Sequence, residues 1–465
     1  MRSEISDFEQ NTSPASAPTF TLPGHTMIEH EITVPLDYFG ALTHLSEDER
    51  ATLASRITIF AREYVRHGKE DAPRLIFFQG GPGSAGPRMA PIGSWLDTAL
   101  DYFRVVLLDE RSTGGSHPLE YLAVTSVGSP RVQAAYLACF RQDSIVADAE
   151  ALRHHLQDEK PWAALGQSFG GFCVTHYLSA HPEGLSEAFI TAGLPSTHLH
   201  ADEVYRRTFA STASRNLEYF AQYPDDEAAA WKITTHLAEV EEFLPSGERL
   251  TPARFRELGI VLGMSYGPDT LHFLLEDPFW SLGGVRRLRP QFLQRVGSRL
   301  SFAENPLYAM IHEAIYGQHS TGATNWSAHR IREEFPEFYL PHVEEGAEGE
   351  LALSHEYSFR FSGEHIFPWQ VNSDPALAPM AEAAGLVAEK SNWPQLYSQE
   401  ALAENTVPSA AWIYVDDMFV PYDLSLATAK EIRGMRPLIT NDFHHDGLRT
   451  GGPKMIERLL EKVRS

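Results

Sequence analysis

The sequence predicts an α/β protein: a sheet of buried strands layered with helices and interrupted by a long, mostly helical insertion. Three observations carry this reading. Short, nearly all-apolar runs end abruptly in glycine-rich or polar loops, as strands buried on both faces of a parallel sheet do. Helix-like stretches alternate with those runs. Between about residues 200 and 385 the sequence turns mostly helical, acidic and rich in aromatics, after which the apolar runs return.

Residues 1–24 are polar and contain Pro, Ser and Thr, which predicts a loosely ordered lead-in. His30–Pro35 alternates weakly, and Ile57–Val65 follows as a strand. Arg74–Phe78 stops at Gln79-Gly80-Gly81-Pro82-Gly83, and Arg104–Leu108 stops at Asp109. Ser144–Leu156 sets Ile145, Ala149 and Leu152 on one helical face. Ala163–Leu165 and Ala188–Ala192 are short strands, with a helix over Phe169–Leu178 between them. Within the insertion, Glu344–Glu350 reads as a solvated loop. Ala411–Val415 and Pro437–Thr440 are the late strands, and Leu424–Arg433 and Lys454–Val463 the late helices. The expected division is therefore a lead-in (1–24), a first core part (25–199), a helical cap (200–385) and a second core part (386–465).

With 465 residues, 43% of them hydrophobic, the chain can bury a large core. Its 38 Lys and Arg against 62 Asp and Glu leave a net charge of -24. That surface repels nucleic-acid phosphates and suits a cationic ligand such as a peptide with a free amino terminus, although it also serves solubility. Two cysteines, Cys139 and Cys173, are too few for a disulfide scaffold. The start of the chain has no export-signal pattern, and no window approaches ~18 apolar residues. A cytoplasmic location without membrane contact is expected. Phosphate-gripping glycine patterns and H-E-x-x-H are missing, and the adjacent pairs His154-His155 and His444-His445 need not converge on one ion. Neither a cofactor nor a metal is expected, and the oligomeric state is not readable.

The sharpest chemical signal is Gly166-Gln167-Ser168-Phe169-Gly170, a G-x-S-x-G pattern between a strand and a helix. Such a turn is tight enough to lift the Ser168 hydroxyl above the sheet end, with the Phe169 N–H facing a developing oxyanion. The glycines after Arg74–Phe78 supply a second donor, assigned to Gly81 N–H. A serine nucleophile needs a base and an orienting carboxylate, which in this fold follow in the order Ser, Asp or Glu, His. Ala411–Val415 runs into Asp416-Asp417, and Pro437–Thr440 leads to His444-His445-Asp446, so both partners stand where the mechanism needs them. Residue type alone leaves either member of each pair open.

Together these blocks resemble the prolyl aminopeptidases (proline iminopeptidases) of the α/β-hydrolase superfamily, in their longer bacterial form. Gln79–Gly83 is similar to the family's oxyanion block, with Gln79 where His is usual. Asp109-Glu110-Arg111-Ser112-Thr113-Gly114-Gly115-Ser116 is similar to D-Q-R-G-x-G-x-S, with Glu110 and Ser112 as departures. Val146–Arg153, Gly166–Gly171, Asp417–Pro421 and His445–Arg449 complete the set in the family's order. The resemblance implies an α/β-hydrolase fold with a helical cap between the nucleophile half and the Asp/His half. It implies Ser168 as nucleophile and favours Asp417 over Asp416 and His445 over His444. It also implies that acids of the cap bind the amine of a small peptide beginning with proline. The matching positions are Glu313 and Glu364, and Phe169, Tyr308, Phe367 and Trp369 are candidate walls for the ring. A rival reading is an esterase or other small-amide hydrolase, and a second is a non-catalytic binding protein on the same fold.

Overall fold

The computed structural model describes residues 17–88, 93–117, 119–338 and 358–465. The Glu344–Glu350 loop and residues 1–16 of the lead-in lie outside the described residues. The strands in chain order are β1 (Thr19–Leu22), β2 (His25–Pro35), β3 (Arg56–Arg66), β4 (Arg74–Phe78), β5 (Arg104–Asp109), β6 (Trp162–Gln167), β7 (Leu185–Thr191), β8 (Phe279–Leu282), β9 (Val285–Leu288), β10 (Ser409–Tyr414) and β11 (Met435–Thr440). Nine of them form one sheet in the order β1-β2-β3-β5-β4-β6-β7-β10-β11. The first three are antiparallel, β3 pairs antiparallel with β5, and from β5 to β11 every neighbour is parallel. A strand thus lies inside the expected lead-in, because Thr19–Leu22 pairs with β2.

The all-apolar strands follow from burial on both faces. In β4, Leu75 and Phe77 enter one core cluster while Ile76 and Phe78 enter the other. Successive side chains alternate between faces, so a strand covered on both sides has no polar positions to offer. The helices Gln142–Gln157 and Phe169–Ala180 cover one face through Ile145, Leu152 and Phe172. The helices Trp95–Ala99 and Pro453–Arg464 cover the other through Leu96, Met455 and Leu459. At the open edge of the sheet, β11 carries Pro437, where a missing N–H costs least.

Between β7 and β10, no strand among the described residues joins this sheet. That stretch is the helical cap, with helices such as Ala201–Gln222, Pro224–Glu239 and Pro290–Leu300. Within this mostly helical stretch lies also the hairpin β8–β9, closed by Gly283-Gly284. Both cysteines are free and buried. No helix of the described residues is long and apolar enough to cross a membrane.

Arg111 joins the early and middle parts of the core. Its guanidinium donates to both carboxylate oxygens of Asp148 at 2.7 Å and to the carbonyl of Leu36 at 2.8 Å. Neither partner reaches water, so the pair is stable only as a pair. Replacing Arg111 with Met leaves Asp148 buried and uncompensated. We expect a loss of about 3–5 kcal/mol in urea unfolding, and a loss below about 1 kcal/mol would show that the pair is not needed.

Candidate active site

Ser168 sits between β6 and the helix Phe169–Ala180 with φ 56 and ψ -125, a left-handed conformation uncommon outside glycine. The turn closes because neighbours without side chains let the backbones touch. A Cβ at Gly166 would strike the Gly170 carbonyl, and one at Gly170 the Phe78 carbonyl at the end of β4. Ser168 N–H donates to Thr191 O at 3.0 Å, pinning the turn to the end of β7. Ser168 is half-buried. Phe169 opens the helix, and its N–H is one of those with no partner inside it. The ring of Phe169 is buried in the core beside Phe172, which makes it core rather than wall.

The glycine loop lies directly against this elbow. A Cβ added to Gly80 would be 2.8 Å from Gln167 Oε1 and 3.0 Å from Ser168 Cβ. Gly81 follows with φ 145 and a cis bond to Pro82. Behind it, Asp109 at the end of β5 accepts two hydrogen bonds of 2.6 Å from Arg88 and one from Gly86 N–H at 3.1 Å, bracing the next turn of the chain.

The acid and imidazole meet beyond β10 and β11. His445 Nδ1 lies 2.8 Å from Asp417 Oδ2. The other Asp417 oxygen accepts from Phe419 N–H at 2.8 Å and Val420 N–H at 3.1 Å. Asp416 is exposed, and the neighbouring His444 reaches only its backbone carbonyl, at 3.3 Å. Gln167, one residue before Ser168, donates its side-chain amide to His445 O at 3.4 Å. The loops bearing residues 168, 417 and 445 therefore converge at one end of the sheet. Burial disfavours a charged His445, but contact with Asp417 and the nearby Glu364 outweigh it and shift the imidazole upward.

Glu364 reaches this centre from the cap. Its Oε1 accepts from Tyr308 OH at 2.5 Å. Burial raises its carboxyl, His445 and Tyr308 oppose the rise, and the balance lies at about 7. Glu313 is committed elsewhere. It is buried, and its two oxygens accept from Ser327 N–H at 2.9 Å and Ala328 N–H at 2.8 Å. It thereby caps the helix Ser327–Ile331 from outside. Phe367 and Trp369 stack on each other at 5.4 Å and pack with Phe209, Ile331 and Phe338 in a cluster internal to the cap. Of the cap residues nominated from sequence, Glu364 acts on the imidazole and Tyr308 is hydrogen-bonded to Glu364. Sequence reasoning missed Phe419, whose ring meets His445 edge-on at 4.9 Å, although it lies within the Asp417–Pro421 block.

Comparison with known proteins identifies the family. Residues 73–277 match the alpha/beta hydrolase fold family. A proline iminopeptidase of Aeromonas sobria is 40% identical over 443 residues, covering 95% of this chain and 97% of its own. The chain belongs to the proline iminopeptidase family. A second member, from Aspergillus aculeatus, is 33% identical over 428 residues, covering 90% of this chain and 91% of its own. Such coverage takes in the cap as well as the sheet. Membership in the proline iminopeptidases makes the chain a serine hydrolase.

The proximity of Glu364 to His445 has a signed consequence. Replacing Glu364 with Gln keeps the shape and the Tyr308 contact but removes a negative charge that favours the imidazolium. We expect the His445 pKa, followed by NMR of the imidazole, to fall in Glu364→Gln. An unchanged or higher value would mean that the two groups do not feel each other.

Proposed function

We propose that this chain is an aminopeptidase that releases proline from the amino terminus of peptides through Ser168, His445 and Asp417. The names of its relatives support the substrate, and the arrangement of the three loops supports the chemistry. In this reading His445 takes the proton from Ser168 as the hydroxyl attacks the carbonyl of the terminal proline. Asp417, hydrogen-bonded to Nδ1, keeps the other ring nitrogen free to accept that proton. Gly81 and Phe169 N–H groups receive the oxyanion, each worth roughly 3–4 kcal/mol to the chemical step. The protonated imidazole gives its proton to the leaving amine, and the shortened peptide departs. Water, activated by the same imidazole, then attacks the ester and frees proline and the Ser168 hydroxyl.

The observation that carries the specificity is Glu364. It is a carboxylate within the field of His445 whose side-chain hydrogen-bond partner among the described residues is a single phenol, that of Tyr308. A substrate ammonium adjacent to the reacting carbonyl completes its pairing, which a blocked or internal residue cannot do. This reading assigns the amine to Glu364 and leaves Glu313 to its helix. Tyr308, held by the same carboxylate, supplies an aromatic face for the proline ring.

The test is a panel of aminoacyl arylamides with free and acetylated amino termini. Proline arylamide should be turned over and its acetylated form should not. Ser168→Ala should lose about 10⁴-fold or more in kcat. Glu364→Gln should act chiefly on KM for the free amine. Equal turnover of blocked and free substrates would defeat the amine reading, and normal turnover by Ser168→Ala would defeat the nucleophile.

A further inference from the structure

The amine site and the oxyanion loop belong to different parts of the chain, and a single side chain spans them. Asn305 precedes the short helix Pro306–Ile311 of the cap. Its Oδ1 accepts from Tyr308 N–H at 3.1 Å, capping the helix that carries Tyr308. Its Nδ2 donates to Pro82 O at 3.0 Å, in the loop that presents Gly81. The loop fits closely around this amide: a Cβ on Gly83 would overlap Asn305 Oδ1 and meet Leu307 Cβ at 3.1 Å. Tyr308 continues the chain of contacts by donating from its hydroxyl to Glu364 at 2.5 Å. Pro82, Asn305, Tyr308 and Glu364 are thus linked by three successive hydrogen bonds.

The substrate of the proposed reaction makes that linkage meaningful. In an N-terminal residue the amine nitrogen and the carbonyl oxygen are separated by a short, fixed run of bonds, and in proline the ring stiffens it further. A site that holds the nitrogen at one end and the developing oxyanion at the other must hold its own two ends at a matching distance. Displacement of either end by about 1 Å is enough to cost ~10²-fold in rate. We propose that Asn305 is a positioning residue that sets the distance between the amine site at Glu364 and the oxyanion donor at Gly81. This rests on the assignment of the free amine to Glu364. Asn305 touches neither substrate end and acts through Pro82 and Tyr308.

Asn305→Asp isolates the role. Aspartate caps a helix as well as asparagine does, so the Tyr308 contact and the fold are kept. The donor to Pro82 O becomes an oxygen facing an oxygen. Asn305→Ser is the second variant, because its hydroxyl caps the helix but is too short to reach Pro82. Two substrates are compared, proline arylamide and a 4-nitrophenyl acyl ester with no amine. For both variants the ratio of arylamide to ester turnover should fall ~10-fold or more, mainly in kcat. Combining Asn305→Asp with Tyr308→Phe should cost little beyond the larger single effect, because both cut one chain of contacts. An unchanged substrate ratio in both variants, or fully multiplicative losses in the double variant, overturns the proposal. Failure of the amine assignment is recognised separately, by wild-type enzyme that turns over acetylated and free proline arylamide alike.

Discussion

Asp417 is buried to within 3% of full coverage, and a carboxylate that far from water is tolerable only when both oxygens are satisfied. Much of the local architecture follows from meeting that condition. One oxygen takes two backbone N–H groups, which bends residues 417–420 into a tight loop and turns the Phe419 ring onto His445. The other oxygen takes the imidazole. His445 in turn is fixed at its backbone, where its N–H donates to Gly263 O at 3.1 Å and its carbonyl accepts from Gln167. The next residue, Asp446, accepts from the Ser265 hydroxyl at 2.6 Å. Gly263 and Ser265 lie in the cap, so the loop carrying His445 is anchored to the cap and to the turn bearing Ser168 at once.

That anchoring explains why two acids near one imidazole can serve different ends. Asp417 is buried with two backbone donors and the imidazole as partners. Glu364 is half-buried and has a phenol as its side-chain partner. The first holds the ring at Nδ1, while the proposed role of the second is to pair with a substrate cation. Glu364 and His445 act on each other: the imidazole lowers the carboxyl, and the carboxylate raises the imidazole.

The sheet and its elbow were legible because their signals are local. A buried parallel strand must be apolar throughout, and the turn at Ser168 requires glycine at 166 and 170, where any side chain would strike backbone. The cap was far less legible. Glu313 and Glu364 stand in similar apolar surroundings in the sequence. What separates them is that a helix begins at Ser327, with its free N–H groups aimed at Glu313. Phe367 and Trp369 read equally well as wall or core, and only the packing around Phe209 decides for core. The hairpin β8–β9 is four residues a side and lies among helices, so its Gly-Gly turn was the one available sign. Asn305 before Pro306 has the form of a helix start, but its second partner is 223 residues away, beyond any reading of spacing.

One departure from the family pattern is a deeply buried acid. Glu110 replaces the usual glutamine next to Asp109 and is 1% exposed. Neither of its side-chain oxygens has a full hydrogen-bond partner among the described residues; the Gln79 backbone acts to lower its carboxyl, and Asp109 and Cys173 are titratable groups near it. Burial pushes its carboxyl well above the usual carboxylate range, and Asp109 adds to the rise. The neutral acid has nearly the shape of glutamine, so the position keeps its packing. Neutrality also matters for chemistry. An ionised group beside Gln79 would oppose negative charge gathering at the next residues of the same loop, where Gly81 is the proposed oxyanion donor. Depth of burial eases that conflict by favouring the protonated form of the acid.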